Sequence, residues 1–391
     1  MNTARTNTAR TNTSRMKTIT SSRLISPAVV LIALLLANLL WNHSFFDITA
    51  RDGNLYGAPI DILRRAAPVV LVALGMTLVI ATRGIDLSVG AVAAISGSWA
   101  SMYIISEGGG SVGVVLTAVA VALLMALLAG AWNGFLVAVL GIQPIVATLV
   151  LMVAGRGLAQ VITNEKILYP DNSPAYKLIG GGYLLAVPFS ILLAGGIFAL
   201  TAVLTRKTAL GTLIESVGVN PAASRLAGVR ARPIIFLAYV FSGFCAGLAG
   251  LMLTSNSTSA DPNSIGLFIE LDAILAVVIG GTSLAGGRFS LAGTLIGAFI
   301  IETMDAFVVI AISARSTDVF KACVVIIVCL LQSSRVRGWL LNVLRWGRPA
   351  TRRRRPPSSA PAPAAADARP SATVPDAAGA PVTAPVKVTP S

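Results

Sequence analysis

The sequence predicts an all-α, polytopic membrane protein with about ten transmembrane helices and both termini in the cytoplasm. Of its 391 residues, 55% are hydrophobic and only 12% are charged, whereas a soluble domain of this size needs a charged surface. The mean hydropathy is +0.80, and the 36 glycines are typical of helices that pack closely in a bilayer. These observations indicate a chain that is solvated by lipid.

Ten apolar runs are candidates for membrane spans, each of which takes about 20 residues. Two of them, 87–105 and 270–286, are short and interrupted by glycine, so eight to ten spans fit the pattern, and we predict ten. The run at 112–140 is long for one span, which predicts a kink or a protruding end. The predicted spans are 25–45, 62–82, 87–105, 112–140, 144–162, 183–204, 233–255, 270–286, 289–312 and 317–333.

Positive charge is distributed unevenly over the segments between these spans. With the N-terminus inside, twenty Lys and Arg residues fall on the inner side and six on the outer side. Cytoplasmic segments of membrane proteins carry such an excess, so the bias supports two cytoplasmic termini. It also accounts for the formal net charge of +14 without a nucleic-acid partner, and we expect none.

The two ends of the chain differ from its body. Residues 1–23 are basic and lack apolar periodicity, which predicts disorder, and whether Met16 is the true start stays open. Residues 24–335 form the predicted transmembrane permease domain. The segment 336–348 carries arginines and two tryptophans and is predicted to be an interfacial amphipathic helix, and the Pro/Ala-rich tail at 349–391 is predicted to be disordered.

The chain lacks the common motifs of enzymatic and metal chemistry. It has no GxxxxGK[ST] phosphate loop and no HExxH, so it cannot by itself be a P-loop ATPase. One histidine and three cysteines leave few metal ligands. We therefore predict a chain that is not an enzyme, with no catalytic residue, no metal site and no cofactor. The cysteines, which lie in apolar runs and are interpreted as small buried hydrophobic residues, are Cys245, Cys323 and Cys329.

The longest polar stretch between spans, 205–232, is predicted to lie in the cytoplasm. Asn220 is a good N-cap and Pro221 suits a first helical turn, so we expect a short helix over Pro221 to Leu226 that Gly228 ends. A preceding helix, Leu210 to Ser216, would stop at Gly218. The pair would form a compact knob for a cytosolic partner, and a plain connector is the alternative. The predicted coupling residues are Glu215, Gly218, Asn220, Pro221, Arg225 and Gly228.

A second group of polar residues lies in or beside the apolar runs. Asp86 or Ser88 would either cap the helix that follows or line a translocation path. Glu270 and Asp272 would either complement a helix N-terminus or line an outer mouth. The full set of candidate path residues is Asp86, Ser88, Glu270, Asp272, Thr282, Ser283, Glu302 and Asp305.

Glu302 and Asp305 lie deep within one predicted span, three residues apart and hence on one helix face. An acid at mid-membrane costs about 2.5–3.5 kcal/mol, so both should face protein or water. There they would bind substrate hydroxyl groups, relay protons or make a structural hydrogen bond. Arg156 is a candidate partner charge for one of them.

Three ordered segments resemble the membrane subunit of ribose/xylose-type ABC sugar importers. They are GMTLVIATRGIDLSVG at 75–90, GVNPAASRLAG at 218–228 and ELDAILAVVIGGTSLAGG at 270–287. The resemblance covers about residues 55–335. Within that family, the segments at 58–63, 143–149 and 151–157 most resemble a galactofuranose importer permease.

The resemblance implies a permease that passes a monosaccharide (galactofuranose, ribose or similar) across the cell inner membrane into the cytoplasm. It also implies three partners: a cytosolic ATP-binding-cassette ATPase, a periplasmic sugar-binding protein and a second permease, identical or related. The family's coupling loop maps onto residues 210–228. The family usually carries amide or small residues where this chain has Glu302 and Asp305, which leaves the sugar open. The alternative is a proton-coupled secondary sugar transporter that uses these two acids.

Overall fold

A computed structural model describes residues 24–51, 53–109, 111–170, 173–311 and 326. The predictions for the N-terminus at 1–23, the interfacial helix at 336–348 and the tail at 349–391 lie outside the described residues. So does the predicted span at 317–333, except for Ile326.

The described residues are mostly helical, with two small antiparallel hairpins. Strand β1 (Thr49–Arg51) pairs with β2 (Asn54–Tyr56), and β3 (Tyr183–Leu184) pairs with β4 (Val187–Pro188). The helices are α1 (Leu24–Trp41), α2 (Ala58–Ala81), α3 (Val89–Ser106), α4 (Val112–Ala138), α5 (Pro144–Thr163), α6 (Pro174–Gly180), α7 (Phe189–Lys207), α8 (Leu210–Val219), α9 (Pro221–Leu226), α10 (Ala231–Ser257), α11 (Ile269–Ile279) and α12 (Leu291–Ala311).

Eight helices in the described part of the chain are long and apolar enough to cross a membrane: α1, α2, α3, α4, α5, α7, α10 and α12. The predicted all-α, polytopic membrane class is therefore confirmed, whereas the count of ten stays a prediction. The run at 112–140 is a single 27-residue helix. Its length of about 40 Å exceeds a hydrocarbon core of about 30 Å, so α4 tilts or protrudes.

Small residues bring α4 and α10 into backbone contact. Every fourth residue of α4 is a buried alanine or glycine, and α10 presents glycines opposite them. A Cβ atom on Gly243 would lie 2.5 Å from the carbonyl oxygen of Ala126, and one on Gly130 would lie 2.6 Å from that of Tyr239. This packing confirms the interpretation of the glycine content. The stripe on α4 consists of Ala118, Ala122, Ala126, Gly130, Gly134 and Ala138.

The helices divide into an inner and an outer group. The most apolar stretch of α2 is 83% buried and that of α3 is 72% buried, whereas α4, α5 and α7 are each buried over only 22%. Helix α10 packs against α2, α3 and α4. The inner group is thus α2, α3 and α10, and the outer helices offer apolar faces to lipid or to another protein.

Two non-helical segments enter this core from opposite ends. Segment 82–88 follows α2 and leads to α3, whose Ala91 packs against Gly155 near the middle of α5. Segment 258–268 follows α10 and reaches the same depth, because the Gly266 carbonyl oxygen lies 2.5 Å from the position of a Cβ on Gly90. The two segments meet where α3 and α11 begin.

The prediction of a complete helical span at 270–286 is therefore wrong. Helix α11 has 11 residues, about 17 Å, which is half of a crossing. Non-helical residues 258–268 replace the other half, so this crossing is discontinuous.

The hairpins are joined to the N-terminal end of α2. The Leu55 amide donates to the Ala186 carbonyl at 3.0 Å, and the rings of Tyr56 and Tyr183 lie 5.1 Å apart. Gly57, with φ +155°, links β2 directly to α2. Both hairpins are therefore attached to this end of α2.

We expect the substitution Gly250→Ala to destabilise the protein by about 1–3 kcal/mol, because overpacked cores must shift backbone or side chains. The new Cβ would lie 2.0 Å from the Ala93 carbonyl oxygen, where α3 crosses α10. Thermal unfolding of the detergent-purified protein measures the effect.

The matched control is Gly196→Ala on α7, where nothing lies within 4 Å of the new methyl group. It should be neutral or slightly stabilising, since alanine favours a helix over glycine. Equal melting temperatures for the two variants would contradict the packing of α3 on α10.

Candidate functional site

A buried carboxylate lies where segment 82–88 enters the core. Asp86 is 1% exposed. Its Oδ1 accepts hydrogen bonds from the Ser88 amide at 3.1 Å and the Ser88 hydroxyl at 2.6 Å, and its Oδ2 accepts one from the Ser242 hydroxyl at 2.8 Å. The Asn133 amide donates to Ser88 Oγ at 2.8 Å and to Asp86 at 3.5 Å. One side chain thus ties the segment to α4 and α10.

Asp86 and Ser88 lie at the start of α3, as the sequence predicts. Ser88 is the N-cap residue but makes no capping bond with its own side chain, because its hydroxyl donates to Asp86. The carboxylate lies beside the helix N-terminus, where negative charge is favourable.

Glu270 lies at the same place from the other side. It is 4% exposed, and its Oε2 would lie 2.4 Å from a Cβ on Gly90, so the carboxylate packs against the first turn of α3. Among the described residues, Oε2 has no hydrogen-bond partner. Two helices, α3 and α11, begin here, and two carboxylates face their N-termini. Asp86, Ser88 and Glu270, all predicted path residues, are therefore brought together.

Arg156 holds segment 258–268 in place. Its Nη1 donates to the carbonyl oxygens of Pro262 at 3.2 Å and Ile265 at 2.6 Å. Gln160, one turn further along α5, donates to Asn263 Oδ1 at 2.7 Å. The two Arg156 bonds satisfy backbone carbonyl groups of a non-helical segment that packs against spanning helices.

The predicted pairing of Arg156 with Glu302 or Asp305 is wrong. The carboxylates that act on Arg156 electrostatically are those of Glu270 and Asp261. The arginine is occupied by segment 258–268, a contact between elements more than 100 residues apart that spacing along the chain does not reveal.

The remaining acids lie on the α11–α12 pair, and all three are half-buried. Ala276 packs against Gly297 and Gly280 against Gly293. This antiparallel register brings Asp272 to the depth of Glu302, and Asp305 lies one turn further along α12 on the same face.

Thr282 and Ser283 shape the connection between α11 and α12. Thr282 Oγ1 accepts from the Ser290 amide at 3.2 Å, and Ser283 Oγ accepts from the Ala285 amide at 3.2 Å. Thr282 and Ser283 lie at the end of the bundle that carries α8 and α9. The other predicted path residues Asp86, Ser88 and Glu270 lie at the start of α3.

Helices α8 and α9 form the expected pair of short surface helices. Asn220 Oδ1 accepts from the amides of Ala222 at 3.0 Å and Ala223 at 3.1 Å. Pro221 begins α9, and Gly228 follows it with φ +83°. The predicted helix Pro221–Leu226 is confirmed, whereas α8 continues to Val219, beyond its predicted stop at Gly218.

The surface of this pair combines an apolar tip with a polar groove. Leu226 is 92% exposed, and Arg225 is exposed beside it. A groove of about 520 Å³ runs between α8 and α9, and Glu215, Asn220 and Arg288 are among the residues that line it. An exposed leucine next to charged groups suits a contact with another protein.

Arg83 fastens α8 to the core. Its guanidinium donates to the carbonyl oxygens of Gly218 and Val219, at the negative end of α8. A Cβ on Gly218 would lie 1.9 Å from the Ala81 carbonyl oxygen, which itself accepts the Gly287 amide at 2.9 Å. The end of α8 is therefore fixed to α2 and to the α11–α12 connection.

Sequence reasoning missed the roles of Arg83, Asn133 and Ser242. A signal existed for Asn133 and Ser242, since each is an isolated polar residue within an apolar run. For Arg83 the position after a span explained the charge by topology alone. In the part of the chain that is described, no three His, Cys, Asp or Glu residues are placed to hold a metal ion.

The chain is similar in sequence to known transport proteins. Residues 58–329 match the family model of the branched-chain amino acid transport system / permease component. The galactofuranose transporter permease protein YtfT of Escherichia coli K12 is 50% identical over 302 residues, which is 77% of this chain and 87% of that protein. The fructose import permease protein FruF of Bifidobacterium longum is 41% identical over 313 residues, 78% of this chain and 86% of that protein.

The ribose import permease protein RbsC of Haemophilus influenzae is 38% identical over 275 residues, 69% of this chain and 83% of that protein. No solved structure matches the chain. With its apolar helices, the chain is a multi-pass protein of the cell inner membrane and a transport component rather than an enzyme. It belongs to the family of the branched-chain amino acid transport system / permease component.

Proposed function

We propose that this chain is the membrane-spanning permease of an ATP-binding-cassette importer that carries a monosaccharide into the cytoplasm. The relatives are named for galactofuranose, fructose and ribose, and the 50% identity makes galactofuranose the first sugar to test. The observation that carries the proposal is the attachment of the α8–α9 pair to the core through Arg83.

Permeases of this kind work with an ATPase and a substrate-binding protein. We propose that the ATPase docks on α8 and α9, within the coupling loop 205–232. The exposed Leu226 and the groove beside Glu215 support this assignment. The same end of the bundle carries seven basic residues, as a cytoplasmic side should; they are Arg83, Arg206, Lys207, Arg225, Arg230, Arg232 and Arg288.

Movement of the ATPase would reach the core through two fixed contacts. Arg83, which directly follows the last turn of α2, holds the end of α8. The Gly287 amide donates to the carbonyl oxygen of Ala81 in that last turn. A displacement of α8 would therefore move α2 and the α11–α12 connection together, since backbone-to-backbone contacts leave little slack.

The sugar would pass the level at which segments 82–88 and 258–268 meet. A discontinuous crossing with helix N-termini at mid-depth is typical of transporter binding sites. Glu270 Oε2 has no hydrogen-bond partner among the described residues, which supports a site for a hydroxyl group that needs such an acceptor. Arg156 would keep segment 258–268 closed in the present conformation.

The sugar-binding protein would dock at the opposite end, where the two hairpins lie. A second permease, identical or related, would cover part of the outer helices. Arg156 and Gln160 on α5 are only half-buried, and half-buried polar groups at this depth should face protein or water rather than lipid.

We expect Arg83→Gln to reduce sugar uptake at least about tenfold while ATPase binding stays intact, because the variant removes only the attachment of α8 to α2. Glu215→Ala and Arg225→Ala should instead weaken ATPase binding or uncouple hydrolysis from uptake. Uptake in cells and co-purification of the ATPase separate the two effects. Arg206→Gln, at the same end but not at the contact, is the control. Normal uptake by the Arg83 variant would refute this route of transmission.

We expect Glu270→Gln to raise the KM for sugar about ten- to a hundredfold, because a hydrogen bond to a carboxylate contributes about 1.5–3 kcal/mol. Glu107→Gln makes the same chemical change on an exposed connection and should leave the KM unaltered. Sugar uptake by the assembled transporter gives both values. If the two variants behave alike, Glu270 does not contact the sugar.

The rival hypothesis, proton-coupled transport through Glu302 and Asp305, predicts uptake by this chain alone. We expect proteoliposomes of the purified chain to show no sugar uptake under a pH gradient. Adding the ATPase with internal ATP and the external binding protein should restore it. Uptake without partners would favour the secondary transporter.

A further inference from the structure

A basic cavity of about 790 Å³ lies beside α9, on the side away from the Glu215 groove. Its walls come from the end of α4, from α9 with the turn that follows it, and from the start of α10. The lining residues that carry the argument are Val139, Arg225, Arg230, Arg232 and Ile235.

The charge in this cavity is of one sign. Of the residues that the structure describes, three arginines and no acidic residue line it. Within the described part of the chain, the side chains of Arg230 and Arg232 make no hydrogen bond or ion pair, and the side chain of Arg225 has only a 3.4 Å bond to the Pro221 carbonyl oxygen of its own helix. The cavity therefore offers unused guanidinium groups, which pair with phosphate through two parallel hydrogen bonds.

The cavity lies at the boundary of the apolar surface. Val139, which lines the cavity, and the adjacent Leu140 directly follow α4, and both are exposed. On α10, Ile235 lines the cavity together with Arg232 and lies three residues further, about 5 Å along the helix. Arginines at such a boundary place their charge at headgroup level while the helix beyond contacts acyl chains.

We propose that this cavity binds the phosphate headgroup of an anionic phospholipid. Arg230 and Arg232 would hold the phosphate, and the acyl chains would lie along the apolar residues next to the cavity, Val139 and Leu140 after α4 and Ile235 on α10. Basic pockets beside spanning helices favour anionic headgroups for these reasons. A soluble phosphate would gain the charge interaction alone, so the neighbouring apolar surface favours a lipid. A bound headgroup would also bridge α9, α4 and α10.

The test is lipid binding to the full-length chain in detergent, followed by native mass spectrometry. The probes are dioleoyl phosphatidylglycerol, dioleoyl phosphatidylcholine and free glycerol 3-phosphate. We expect phosphatidylglycerol to bind at least tenfold more tightly than phosphatidylcholine, and glycerol 3-phosphate not to displace it at equal concentration.

The double variant R230Q/R232Q should weaken phosphatidylglycerol binding at least tenfold. R206Q/K207Q removes the same charge from the same end of the molecule, outside the cavity, and should change the affinity less than twofold. R230K/R232K keeps the charge but loses bidentate geometry, and an intermediate affinity is expected.

Equal binding of the two phospholipids, or equal weakening by both charge-removing double variants, would overturn the proposal in favour of general attraction to the surface. Displacement by glycerol 3-phosphate would identify a soluble phosphate instead. If R230Q/R232Q bound lipid normally but lost the ATPase, the arginines would serve a protein contact and the lipid site would be rejected.

Discussion

The architecture depends on supplying hydrogen-bond partners to backbone that enters the membrane domain without helical structure. In lipid, every peptide group needs such a partner, and segments 82–88 and 258–268 provide only part of these partners through their own turns. Asp86 supplies acceptors at the first segment, and Arg156 supplies donors at the second. Each draws on helices distant in the chain, so both segments are held only when the bundle is assembled. Removing either side chain would leave buried polar groups unpaired, which costs about 1–3 kcal/mol for each group.

This constraint also separates the parts that can move from those that cannot. The backbone contact between α4 and α10 makes these helices a single block. Segment 258–268 is attached differently, since hydrogen bonds hold it: three from side chains of α5 and two in a backbone bridge between Ala260 and Leu168. Such bonds exchange more easily than close-packed backbones rearrange. A change of access during transport therefore costs less free energy at this segment than within the α4–α10 pair.

The sequence was sufficient for features that depend on local chemistry. The apolar runs predicted the spanning helices, and the Asn220-Pro221 pair predicted the start of α9, because caps and hydropathy act within a few residues. It was insufficient where distant elements meet. The run at 270–286 is apolar enough for a span, but hydropathy does not register that residues 258–268 already cover half of the crossing. Arg156 was assigned the wrong partner for the same reason, since its ligands are backbone carbonyls, which every residue carries. Asn133 and Ser242 left a weak signal as isolated polar residues in apolar runs.

Helix α2 connects the two faces of the molecule directly. Its C-terminal turn is attached to α8, and its N-terminal end continues through Gly57 into the paired hairpins. A continuous helix of 24 residues extends about 36 Å, so a displacement at one end of α2 can be transmitted to the other end. Thermodynamic linkage makes such a connection reciprocal. Under the docking proposed above, binding of a partner at the hairpins should change the affinity of α8 for the ATPase by the same factor by which ATPase binding changes the affinity at the hairpins.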